Sequence, residues 1–129
     1  MSAVRFLWVF LGGGLGSIAR FAVGSVLIER LGAGFPFGTL AVNLIGSALL
    51  AALVHVALAG DAISPTLRLG LATGFLGGFT TYSAFSQETF AFLQSGAWGV
   101  AVAYAAVTLF GCLAACLAGQ SAARWILGG

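Results

Sequence analysis

Gly74-Phe75-Leu76-Gly77-Gly78-Phe79-Thr80-Thr81-Tyr82-Ser83-Ala84-Phe85-Ser86 lies in the middle of a long apolar segment. A helix that only had to cross a bilayer has no need of three glycines and a run of hydroxyls at that place. The glycines weaken the helix, because glycine has the most backbone freedom to lose. Thr80 and Thr81 follow, and both hydroxyls can bond backbone groups that a broken helix leaves free. The stretch therefore predicts a helix interrupted near the membrane midplane, at about Gly77, and resuming near Ser83. Such a break is tolerated only where the freed backbone is buried in protein or lines a wet cavity. In transport proteins, unwound carbonyls in such breaks coordinate cations. Ion handling is one reading of the stretch; a packing kink with small residues at a helix contact is the other.

The composition around it fits a membrane. The chain has 129 residues, about one domain, of which 60% are hydrophobic and 6% charged, with a mean hydropathy of +1.11. Soluble domains carry about 25% charged residues. Apolar runs long enough to span a bilayer recur along the chain. The expected fold is a single all-α membrane domain over residues 1–129 with four transmembrane helices. A formal charge of +2, spread over Arg5, Arg20, Arg30, Arg68 and Arg124 against Glu29, Asp61 and Glu88, forms no basic cluster for nucleic acid or anionic lipid. Cys112 and Cys116 stand four apart in an apolar run. They have no further metal ligands nearby in sequence and read as small packing residues.

The first helix is expected from about Val4 to Leu31. Arg5, an apolar run and Ser17-Ile18-Ala19 also allow a cleaved leader, but the hydrophobic pattern continues well past that point. Gly12, Gly16 and Gly24 fall on one stripe, where small residues let backbones approach closely in lipid. Gly12-Gly13-Gly14 is an incomplete match to a nucleotide loop and has no strand before it. Arg20 lies on the same stripe. An arginine this deep in a span faces protein or water, either as an electropositive vestibule lining or by snorkelling to an acid at the interface.

Leu31 to Phe37 forms the first loop. The second helix, from about Gly38 to Leu58, carries Thr39, Asn43, Gly46 and Ser47 on one polar stripe. The Asn43 amide needs partners in hydrocarbon. It either offers its donors to a small anion or bonds across to another helix, for about 1 kcal/mol or less. Ser64-Pro65 reads as a hydroxyl cap with proline in the first turn, so the third helix begins near Thr66. After the break, Tyr82, Phe85 and Thr89 share one face and Ser83, Ser86 and Phe90 the next. A band of ring edges, which carry partial positive charge, then runs beside a band of hydroxyls. Glu88 lies toward the membrane surface, to pair with an arginine or to guard a pore mouth. The fourth helix, from about Trp98 to Ile126, aligns Tyr104, Thr108, Cys112 and Cys116 at spacings of four. Arg5, Arg68 and Arg124 would share one side of the membrane, against Arg30 on the other. That bias is slight, and both insertion orientations are expected.

Gly38-Thr39-Leu40-Ala41-Val42-Asn43-Leu44-Ile45-Gly46 and the Gly74–Ser86 stretch together resemble the Fluc (CrcB) fluoride channels. Gly12-Gly13-Gly14-Leu15-Gly16-Ser17 with Arg20, and Phe35-Pro36-Phe37-Gly38, fit as well. The resemblance runs over essentially the whole chain. It implies an antiparallel, dual-topology homodimer in the bacterial inner membrane, with two fluoride pores. It also implies a structural sodium ion at the dimer centre, held by backbone carbonyls, here those of Gly77 and Thr80. Tyr82 and Phe85 would be the pore aromatics, and Asn43 would orient them or contact the ion. Ser83 and Ser86 would belong to the hydroxyl track, with Tyr104 and Thr108 close to the permeation path. Arg20 would support one vestibule and Glu88 the opposite mouth. The family usually has phenylalanine at Tyr82, threonine at Ala84 and often a hydroxyl at Cys116, so the polar track is thinner here.

The expected function is passive fluoride export that relieves cells of the ion. Full positive charges would bind an anion too tightly for it to leave, which places Arg20 near a mouth. A small multidrug-type proton-coupled exporter, also a four-helix dual-topology protein, is the alternative. It needs a carboxylate inside a span, and Glu29 and Glu88 sit toward helix ends. A purely structural membrane subunit would not need the break. No nucleophile–base set or metal cluster points to an enzyme.

Overall fold

A computed structural model describes residues 2–129 as an all-helical chain; among these residues there is no strand. Helix α1 is Ala3–Leu31, α2 is Phe37–Ala59 and α6 is Trp98–Ile126. These three are long and apolar enough to cross a bilayer. Between α2 and α6 the chain runs through α3 (Pro65–Leu69), a π-helical segment Gly70–Leu76, α4 (Gly77–Phe79) and α5 (Tyr82–Gln94).

The ends of these elements follow local chemistry. Ser64 caps α3, its hydroxyl accepting from the Leu67 N–H at 3.2 Å, with Pro65 in the first turn. That proline has no N–H to satisfy there, and its fixed φ suits the first turn. The α5–α6 connection turns on Gly96, whose φ of +81° is left-handed, a conformation glycine adopts without a Cβ penalty.

Packing among the helices is set by missing side chains. Helix α1 lies against the π segment and α4, and α2 lies mainly against α6. A Cβ added to Gly78 would stand 2.5 Å from the Gly13 carbonyl oxygen, and one at Gly74 3.1 Å from the Val9 carbonyl. Gly12 and Gly16 press on the backbone at Gly70 and Phe75, and Gly119 on that at Ala48. Lipid tails offer no hydrophobic drive between helices, so close backbone approach and the dispersion it allows hold such contacts. The buried core is correspondingly small: Val42, Leu76, Phe79, Ala101, Tyr104 and Ala123. Large apolar side chains elsewhere, such as Phe10, Phe21, Leu58 and Leu117, lie on the surface, as they do in a protein whose solvent is lipid.

The segment between α2 and α6 differs in register from the sequence expectation. Gly77 and Gly78 are helical. The residues outside the helical region are Thr80 (φ −83°, ψ 160°) and Thr81 (φ −152°, ψ 115°), and helix resumes at Tyr82. The glycines allow α1 to approach; the two threonines carry the extended turn. Upstream, the Gly77 N–H reaches the Ala72 carbonyl, five residues back. Wide turns of this kind are uncommon and cluster at functional sites.

Candidate functional site

The site is built around the two extended threonines. Asn43, on the buried face of α2, meets them with both ends of its carboxamide. Its Nδ2 donates to the Thr81 carbonyl at 3.0 Å, and its Oδ1 accepts the Thr81 N–H at 2.8 Å. Asn43 and Thr81 are both buried. The side chain thus imitates one rung of a sheet ladder: it satisfies the Thr81 N–H, which has no helical acceptor, and adds a second donor to the Thr81 carbonyl, which also begins α5.

This arrangement redirects two N–H groups. In a continuous helix the Thr81 N–H would bond the Gly77 carbonyl, and the Ala84 N–H the Thr80 carbonyl. Here the first goes to Asn43. The second goes to the Thr81 hydroxyl at 3.2 Å, which caps α5. The Gly77 and Thr80 carbonyls therefore lose their intrahelical donors. The Thr80 hydroxyl turns back to donate to the Leu76 carbonyl at 2.9 Å, which ties off the preceding turn.

Gly77, Thr80 and Thr81 line a cavity of about 680 Å³ together with Asn43, Tyr82, Phe85 and Thr108. Its wall is otherwise apolar or small, from α2, the π segment and α6. The Thr108 hydroxyl is buried in this wall and has no hydrogen-bond partner among the described residues. Asn43 has a second Nδ2 hydrogen beyond the one given to Thr81. Tyr82 is 80% exposed, and its ring meets that of Phe85 edge-on at 5.9 Å.

A second polar group sits one layer away, on the other side of Phe85. Both oxygens of Glu88 take hydroxyls, from Thr39 at 2.6 Å and from Tyr104 at 2.6 Å. The Tyr104 ring is fully buried and packs edge-on against Phe35 at 5.2 Å, Phe85 at 5.1 Å and Phe92 at 6.3 Å. Phe85 thus bridges the Glu88 group and the cavity wall. Thr39 and Glu88 also line a smaller cavity of about 350 Å³ under the Gly32–Pro36 loop.

The structure gathers Asn43, Gly77, Thr80, Tyr82, Phe85 and Thr108 on one cavity and joins Tyr104 to Glu88 beside it. Ser83 and Ser86 lie on an exposed face; Ser83 is 3.4 Å from the Thr81 hydroxyl, and neither serine lines the two cavities. Arg20 is half-buried on α1 and lines neither cavity. Glu88, for which sequence left open an arginine partner or a place at a pore mouth, is held by hydroxyls. Sequence named two contributors without their partners. Thr81 was legible as a hydroxyl able to bond freed backbone, as it does with the Ala84 N–H, but not as the residue Asn43 grips. Thr39 was visible on the polar stripe of α2, but its partner across 49 positions was not.

Residues 7–120 match the family model described as CrcB-like protein, Camphor Resistance (CrcB). The chain is 46% identical over 125 residues to a fluoride-specific ion channel FluC of Sorangium cellulosum, covering 97% of this chain and 98% of the relative. It is 47% identical over 124 residues to one of Anaeromyxobacter dehalogenans, covering 96% and 98%. It is 50% identical over 106 residues to one of Thermus thermophilus, covering 82% and 84%. Family and relatives together leave no enzymatic reading: the chain is a multi-pass membrane protein of the CrcB family, whose matched relatives are the fluoride-specific ion channels FluC.

Proposed function

We propose that the protein is a passive fluoride channel of the bacterial inner membrane that lets the ion leave the cytoplasm. The carrying observation is the unpartnered Thr108 hydroxyl, buried in the wall of the same cavity that Asn43 and Phe85 line. An uncompensated buried hydroxyl costs about 1–3 kcal/mol, and a turn of the Thr108 side chain toward the cavity lets a passing anion supply the missing acceptor. The free Nδ2 hydrogen of Asn43 and the positive edges of Phe85 and Tyr82 add donors that carry no full charge. Such contacts replace hydration without holding the ion too long.

The working unit in this reading is an antiparallel, dual-topology homodimer with two pores. The exposed Tyr82 and the open cavity beside it are the features a second copy would cover. A structural sodium ion fits the donor set: the Gly77 and Thr80 carbonyls lose their intrahelical donors, and both residues line the same cavity. Hard oxygen ligands suit such an ion, and unwound carbonyls hold sodium in other transport proteins. Two carbonyls from each of two copies would share it at the dimer centre. Its part is to fix the two interrupted spans against each other near the midplane. Glu88 stands at one mouth, and Arg20 supports a vestibule through its field rather than by contact.

The deciding experiment is efflux from liposomes loaded with potassium fluoride, read with a fluoride electrode after potassium permeability is supplied. Fluoride should leave rapidly and chloride should stay. Equal chloride passage, or flux driven only by a proton gradient, overturns the reading; the latter would favour the exporter.

A further inference from the structure

We propose that Cys112 and Cys116 form a two-thiolate site for a soft, two-coordinate cation, copper(I) or silver(I), on the wall of the ion cavity, and that filling it blocks the passage beside Thr108. The second half rests on the fluoride-channel reading above; the binding site does not.

Both thiols are free and half-buried, and both line the 680 Å³ cavity. They sit four residues apart on α6, so they share one face with Cβ atoms about 5–6 Å apart. Two metal–thiolate bonds of about 2.3 Å, as in zinc sites, laid end to end span about 4.6 Å. Rotation about χ1 can bring two sulfurs on one helix face to about that separation. The ligand count then selects the metal. Among the described residues no group of three or more His, Cys, Asp and Glu side chains is placed to hold a metal. Zinc wants three or four such ligands, more than the two thiols supply. Soft cations are content with two sulfurs, and thiolate selects them over harder ions.

The thiol environment supports exchange. The Cys116 thiol points at the Ser47 carbonyl of α2, at 3.5 Å, a weak contact that binding would give up. Each thiol loses its proton to water, two S–H bonds are replaced by two sulfur–metal bonds, and nothing is oxidised or reduced. With a monovalent metal the product carries a net charge of −1. That charge lies one helical turn from Thr108, in surroundings that screen it poorly. An anion approaching the Thr108 hydroxyl is then repelled as well as obstructed.

The test uses the purified full-length protein and silver nitrate in chloride-free buffer. Native mass spectrometry should find one silver ion per chain. Cys112→Ser and Cys116→Ser should each weaken binding by about a hundredfold, the loss expected when a second tethered ligand disappears. Alanine variants at the same positions repeat the measurement in case serine disturbs the α2–α6 contact. Two silver ions per chain, or single variants that bind like the parent, overturn the site. In liposomes, silver should cut the parent's fluoride flux at least about tenfold and dithiothreitol should restore it. The double serine variant should keep whatever flux it has without silver. Silver bound with flux unchanged overturns the block. A parent that passes no fluoride before silver is added refutes the channel reading, and the stoichiometry still judges the site.

Discussion

Asn43 and Thr81, 38 positions apart, are joined by two hydrogen bonds between one side-chain amide and one main-chain peptide unit. The pair holds the chain extended between α4 and α5. A single interhelical hydrogen bond in a membrane averages about 0.6 kcal/mol, too little to keep a helix open. The Asn43 pair differs because its loss leaves the buried Thr81 N–H unsatisfied, at about 1–3 kcal/mol, and takes a second donor from the Thr81 carbonyl, which as the α5 N-cap keeps its bond within that helix. Asn43→Ala should therefore lower stability by about 1–3 kcal/mol and abolish most fluoride flux. Asn43→Asp keeps the acceptor for the Thr81 N–H but sets an oxygen against the Thr81 carbonyl, and it should be at least as damaging. Thermal unfolding in detergent and the liposome assay check both. Wild-type flux in Asn43→Ala would remove this residue from the pathway.

The Glu88 group gives a coupling prediction. Tyr104→Phe strips one hydroxyl from a carboxylate that accepts two, and Thr39→Val strips the other. Hydrogen bonds to charged groups are worth about 1.5–3 kcal/mol. Each single change should cost about that much. The double variant should cost less than the sum, because the carboxylate, once half-released, takes up water. A double-mutant cycle on the unfolding free energy measures the difference. Strict additivity would mean that the two hydroxyls act on Glu88 independently.

The contact between α1 and α4 predicts opposite signs at neighbouring glycines. A Cβ at Gly78 meets the Gly13 backbone at 2.5 Å and 3.2 Å, where nothing flexible can yield. Gly78→Ala should destabilise by about 1–3 kcal/mol, as overpacking does. Gly14 lies on the same helix as Gly13 with nothing within 4 Å of its Cβ position. Gly14→Ala should be neutral or gain up to about 1 kcal/mol from helix propensity. Melting the two variants side by side tests whether close approach, rather than flexibility, is what these glycines provide.

Much of the scaffold was legible because its signals are local. Ser64-Pro65 marked the start of α3, and Trp98 and Ile126 bounded α6, because caps, prolines and apolar run lengths act within a few residues. The glycine and threonine cluster announced an irregular segment but not its position. Placing the irregularity at Gly77 assumed that propensity decides. In the fold, α1 packs on Gly74 and Gly78 and keeps them helical, and Asn43 draws out Thr81 instead. Which hydroxyl meets Glu88 was equally beyond sequence, since Thr39, Glu88 and Tyr104 come from three separate helices. Ser83 and Ser86 mark the same limit: helical spacing put them on a polar band but could not say that the band lies outside the cavity of the single chain.

Thr108 separates function from stability most cleanly. Its hydroxyl is buried without a partner, so in the protein alone it is a cost. Thr108→Val keeps the shape and removes the polar atom. Replacing an unsatisfied buried group by an apolar one of the same shape is neutral or stabilising, so the melting midpoint should hold or rise. If the hydroxyl exists to meet a passing anion, fluoride flux should nevertheless fall severalfold, since one donor along the cavity is gone. Thr108→Ser restores the donor at the price of a methyl group and should recover most of the flux. A valine variant as stable as the parent and equally conductive would show that the anion passes elsewhere. A valine variant that melts earlier would show that the hydroxyl is satisfied within the protein and was never free to serve an ion.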